Sequence, residues 1–141
     1  RWGLVMSVVM WDVETTGLNP DSAAMTVGCV LPLDAAEPET FHSGVGKEMT
    51  AATATEMLER LEAADTVVTF NGAAFDFKFL AAATDADRVA AVAKKSIDLL
   101  LCAAAATGYV GGQPGAWPRA MPSRTPVGDR ARARAAGTFR R

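Results

Sequence analysis

Short apolar runs separated by turn clusters open the chain. Leu4 to Val13, rich in Val and Met, predicts a buried strand. The cluster Gly17-Leu18-Asn19-Pro20-Asp21 predicts a turn. Ala24 to Leu33 reads as a second strand and Thr40 to Ser43 as a short third one. The period then changes. Thr50 is placed to cap a helix over about Ala51 to Ala64, with Met57, Leu58 and Leu61 on one face and Glu56, Glu59, Arg60 and Glu62 mostly opposite. Asp65 to Phe70 returns to strand, Asn71-Gly72 turns, and a helix follows over about Ala74 to Ala83. A further short helix is expected over Asp85 to Lys95. A strand from Ser96 to Leu101 then leads into the helical Ala103 to Ala106.

The pattern stops after Gly108. Residues 113–141 hold seven arginines, four of the seven prolines (Pro114, Pro118, Pro122, Pro126) and no Leu or Ile. Such a stretch offers no apolar stripe for a packed helix. The expected organisation is therefore an α/β domain over residues 1–110, followed by a Pro/Gly/Arg-rich tail over 111–141 that reads as disordered.

Composition adds limits. Half of the 141 residues are hydrophobic and 21% are charged, an ordinary globular balance. Net charge is −2, but residues 1–112 carry 7 basic against 15 acidic side chains, and the tail carries 7 arginines against Asp129 alone. An acidic body with a basic tail suits a protein that holds metal ions and touches phosphate; a solvated basic tail is the plainer reading. Cys29 and Cys102 are far apart and form no CxxC pair, so neither a zinc site nor a disulfide framework is expected, and both read as buried free thiols in a reducing, cytoplasmic setting. The run Leu4 to Trp11 is far shorter than the ~20 residues of a membrane span. No signal peptide is apparent, and the start at Arg1 rather than Met reads as a fragment or trimmed product.

Two motifs carry chemistry. Asp12-Val13-Glu14-Thr15-Thr16-Gly17 ends the first strand. Side chains at i and i+2 leave one face of a strand roughly 6.5–7 Å apart, so two carboxylates are presented together. Their repulsion is relieved by a divalent cation, and hard oxygen donors without His or Cys select Mg²⁺ or Mn²⁺. A solvated strand end with two incidental acids is the plain alternative. The second motif is Phe70-Asn71-Gly72-Ala73-Ala74-Phe75-Asp76-Phe77-Lys78-Phe79-Leu80. Asp76 falls in a first helical turn, where the helix dipole favours an acid, so capping is an alternative role for it. Phe75 and Phe79, four residues apart, read as core ahead of a base-stacking platform, and Asn71 suits the turn.

Together, Asp-x-Glu-Thr-Thr-Gly after strand one and Phe-Asn-Gly-x-x-Phe-Asp-x-x-Phe-Leu after strand four resemble the DEDD superfamily of 3′–5′ exonucleases, and among them the predicted exonucleases related to the proofreading domain of family B DNA polymerases. The resemblance covers about residues 4–107. It implies a ribonuclease-H-like fold, a mixed five-stranded sheet with its first three strands antiparallel and helices flanking it; the pattern of elements independently reads βββαβα. It implies that Asp12 bridges two Mg²⁺ or Mn²⁺ ions, that Glu14 sits beside the attacking water, and that Asp76 serves the second ion. It implies that Thr15, Thr16, Leu18, Asn71 and Phe75 line the nucleotide 3′ end. The implied reaction is two-metal in-line hydrolysis of the terminal phosphodiester of single-stranded or 3′-end DNA, with RNA left open.

One part of the pattern is missing. The family carries a fourth carboxylate preceded by Tyr or His four or five residues earlier. Tyr109 has no acid downstream until Asp129, and His42 has none at that spacing. Asp98, in Ser96-Ile97-Asp98-Leu99-Leu100, resembles a family position that is usually not a ligand. The domain is thus expected to be incomplete at its C-terminal end and impaired in turnover. Its tail is read as a product of frameshift, truncation or divergence. A non-catalytic nucleic-acid-binding module or degenerate nuclease fragment is the alternative.

Overall fold

The structure is a computed structural model and describes residues 6–108. The expectations for the tail, Tyr109 and Asp129 lie outside the described residues. The elements are β1 (Val8–Thr15), β2 (Met25–Pro32), β3 (Glu39–His42), α1 (Ala51–Ala63), β4 (Thr66–Thr69), α2 (Asp76–Ala83), α3 (Ala86–Ala93), β5 (Ser96–Asp98) and α4 (Leu99–Thr107). The five strands form one sheet in the order β3-β2-β1-β4-β5. β1, β2 and β3 pair antiparallel; β4 pairs parallel with β1, and β5 parallel with β4. This is the mixed α/β sheet expected of a ribonuclease-H-like fold.

One face of the sheet carries the core. Val9, Trp11 and Val13 of β1 point into it with Val30, Val67 and the buried faces of α1, α2 and α3. Trp11 sits between α1 and α2: its indole N–H donates to Met57 Sδ at 3.4 Å, and its ring lies 4.9 Å from that of Phe77. Gly28 makes room for this packing, because a Cβ there would run into Met57. Caps follow the sequence pattern. Thr50 accepts from Thr53 N–H to start α1, and Asp85 accepts from Asp87 and Arg88 N–H to start α3.

Three expectations need correction. β1 alternates instead of being buried throughout: Met10, Asp12 and Glu14 are exposed, because α1 to α3 cover only the other face. α2 starts at Asp76, two residues after the expected Ala74, because Asn71 takes a left-handed turn (φ 64°) and the N–H groups of Ala74 and Phe75 bond back to its carbonyl. The last strand ends at Asp98 and not at Leu101. The Asp98 carboxylate accepts from Leu100 N–H and turns the run of leucines into α4.

Candidate active site at the end of the first strand

β1 outruns its parallel neighbour. Its pairing with β4 stops at Met10, while the strand continues to Thr15. The backbone beyond Met10 therefore needs other partners on that side, and α2 supplies one: Asp76 Oδ1 accepts the Val13 N–H at 3.1 Å. Asp76 is only 2% exposed. Its carboxylate is thus turned onto β1 at the residue between Asp12 and Glu14, and the cap of α2 is Phe75, without a side-chain bond.

Burial pushes the Asp76 carboxyl up to about 6; the Val13 N–H opposes this, and the charges of Asp12 and Asp98 add to it. Asp12 and Glu14 are both exposed on the open face of the sheet. Among the described residues, neither they nor Asp76 forms an ion pair with Lys, Arg or His; the pairs present are Arg60–Glu39 and Arg88–Glu62. An all-oxygen donor set of this kind, uncompensated by protein cations, suits a hard divalent ion. It is not preassembled: among the described residues no three His, Cys, Asp or Glu side chains are gathered closely enough to hold an ion.

The remaining residues named from the sequence divide. Thr15 and Thr16 shape the turn after β1: the Thr15 hydroxyl donates to Gly17 O at 2.6 Å, and Thr16 Oγ1 accepts from Ala24 N–H at 3.0 Å. Leu18 stands at 86% exposure on that turn. Phe79 is core; Phe75 is half-buried, its ring 4.9 Å from that of Phe79. His42 lies at the edge of the sheet, exposed, with Nδ1 accepting from Gly44 N–H. The two cysteines are free thiols but are not buried as expected: Cys29 is half-buried directly across from Asp12, and Cys102 is exposed on α4, which buries no residue.

Sequence reasoning missed the role of Asp98. Its carboxylate accepts from Asn71 N–H at 2.9 Å, Ala73 N–H at 3.0 Å and Leu100 N–H at 3.0 Å. Burial works against its charge, but donors from Ala73, Asn71, Leu100 and Leu101 prevail and hold it below the usual carboxylate range. No local signal reveals this, since two of the partners are backbone groups 25 and 27 residues away. The turn it holds is sterically tight. A Cβ on Gly72 would lie 2.6 Å from Thr69 Cβ, on a strand with no room to retreat. Gly72→Ala is expected to cost about 1–3 kcal/mol of stability, as overpacking does. Urea unfolding checks this, and an unchanged midpoint would show that the turn has slack.

A groove of about 510 Å³ on the open face runs beside the site, lined by Met10, Asp12, Cys29, Leu31, Val68 and Leu99 among others. Among the described residues no helix is long and apolar enough to cross a membrane.

A family model described as RNase_H superfamily matches residues 9–111, most of the chain. The chain belongs to the RNase H superfamily. Solved structures share this superfamily fold. One is the zinc-bound E. coli exonuclease I complex with single-stranded DNA (15% identity, 78% of this chain and 32% of that one, TM-score 0.58). Another is a product-bound exonuclease I (15% identity, 78% and 35%, TM-score 0.59). A family B DNA polymerase from Pyrobaculum calidifontis also matches, at 17% identity over 55% of this chain and 11% of that one, with TM-score 0.45. The chain spans about a third or less of the length of these proteins. At 15% identity the likeness to exonuclease I is one of fold. No curated protein matches the chain.

Proposed function

We propose that this chain is a nuclease domain of the DEDD kind, which removes nucleotides from the 3′ end of DNA. The observation that carries the reading is the buried Asp76 carboxylate, held by the Val13 N–H against β1 at the residue between Asp12 and Glu14. Membership of the RNase H superfamily and the fold shared with exonuclease I support it.

Asp12, Glu14 and Asp76 would hold Mg²⁺ or Mn²⁺. Two such ions supply activation of water for in-line attack on a phosphodiester and stabilisation of the leaving oxygen. The chain's own residues do the rest. Val13 N–H orients Asp76. The turn carrying Thr15, Thr16 and Leu18 on one side, and Asn71 and Phe75 on the other, would receive the terminal nucleotide. Single-stranded or 3′-end DNA is the substrate proposed, with RNA as the second candidate, in a cytoplasmic setting. Residues 1–110 form the domain in this reading, followed by an arginine-rich segment over 111–141.

A second reading is a binding module without catalysis, favoured by the absence of a preassembled three-carboxylate cluster among the described residues. A 5′-labelled single-stranded DNA incubated with the chain and Mn²⁺ separates these. Stepwise shortening from the 3′ end, lost in Asp12→Asn, supports the exonuclease. Internal fragments would indicate an endonuclease. A retarded but intact strand would indicate binding alone. Turnover should fall by several orders of magnitude in Asp12→Asn, as for groups that act as a unit.

A further inference from the structure

We infer that Asp98 is a positioning residue for this site: by clamping the Asn71–Ala73 turn it fixes the start of α2, and so aims Asp76 at β1. The inference rests on the metal-site reading above and adds to it a residue that touches none of the proposed ligands.

Thr69, the last residue of β4, is paired in parallel with Asp98, the last residue of β5. β4 ends at Thr69, and Asp98 takes two N–H groups of the turn that follows, Asn71 N–H on Oδ1 and Ala73 N–H on Oδ2. Bonds to an ionised carboxylate are stronger than neutral ones. Asn71 is the one non-glycine among the described residues with positive φ, a conformation that needs support from its surroundings. The carbonyls of the same turn then fix α2. Asn71 O accepts from Phe75 N–H at 3.0 Å, and Gly72 O accepts from Phe77 N–H at 3.0 Å, on either side of Asp76. Asp76 in turn holds Val13 N–H. A carboxylate needed only to cap α4 would require the bond to Leu100 alone. The other two bonds reach back across the sheet edge to the turn that launches Asp76.

Hydrogen exchange of the Val13 amide in the full-length, metal-free chain reads this linkage without any assay of activity. Asp98→Ala should speed exchange at Val13 about tenfold or more, the factor that matches losing a hydrogen bond to a charged group. Asp98→Asn keeps one acceptor oxygen, and should give a smaller change in the same direction if the alanine variant fails to fold. Val92→Ala, in the buried face of α3, provides a destabilised control that should leave Val13 as protected as its global stability allows. Titration with Mn²⁺ should show affinity reduced about 10- to 100-fold in the Asp98 variants and unchanged in Val92→Ala. Val13 protection in the Asp98 variants no lower than in a Val92→Ala chain of matched stability would overturn this inference alone. Absence of Mn²⁺ binding by the unaltered chain would overturn the metal-site reading, and with it the positioning role.

Discussion

Without metal, Asp76→Asn is expected to stabilise the domain at pH 7–8 by about 1–3 kcal/mol, although it removes a residue proposed for the site. The carboxyl is buried and raised to about 6, so the folded state prefers it protonated. Between about pH 4 and 6 the folded chain binds a proton that the unfolded chain has released. Stability therefore falls as pH rises through this window, and the loss is complete above it. Asparagine carries no charge to bury and still offers an oxygen to the Val13 N–H. The variant and the unaltered chain should converge as pH falls below about 4, toward the range where Asp76 is protonated in both states. Asp98 acts in the opposite sense: its lowered value contributes stability above the usual carboxylate range, lost as pH falls through its folded value. Urea titrations from pH 4 to 8 measure the difference. A variant less stable than the unaltered chain at pH 8 would mean that Asp76 is compensated by something other than a missing cation.

Adding the cation should reverse that order. Mn²⁺ bound only by the folded chain is expected to stabilise it by about 2.7 kcal/mol at a hundred times its dissociation constant. Asp12→Asn and Asp76→Asn should gain nothing measurable. Burial of the Asp76 carboxyl, with the nearby charge of Asp12 adding to it, is the reason: a cation bound beside them would offset both. Thermal melts with and without millimolar Mn²⁺ decide this. Equal shifts in all three chains would place the metal elsewhere on the acidic surface.

Much of the fold was legible because its periods are clean. β1 to β3, the Thr50 cap, the buried stripe of α1 and the Asn71-Gly72 turn all lie where the pattern puts them. The boundaries that moved did so for reasons a pattern cannot hold. An apolar run such as Leu99-Leu100-Leu101 fits strand or helix equally, and a side-chain cap from Asp98 decided it. The burial of β1 on one face depends on which helices cover the sheet. The site was legible in part: the pairing of Asp12 with Glu14 follows from strand geometry, and the motif resemblance named Asp76. That Asp76 reaches β1 through Val13, and that Asp98 holds the turn before it, depends on backbone groups whose positions are set only when the chain folds.

If Asp12, Glu14 and Asp76 make one divalent-cation site, paramagnetic broadening by Mn²⁺ will be centred on them. In amide spectra of the folded chain at substoichiometric Mn²⁺, the signals of residues 12–14 and 75–77 should vanish first. Those of Glu56, Glu59 and Glu62, on the acidic side of α1, should persist, and Asp12→Asn should restore the broadened signals. Broadening that begins on α1, or that is the same in Asp12→Asn, would contradict the account.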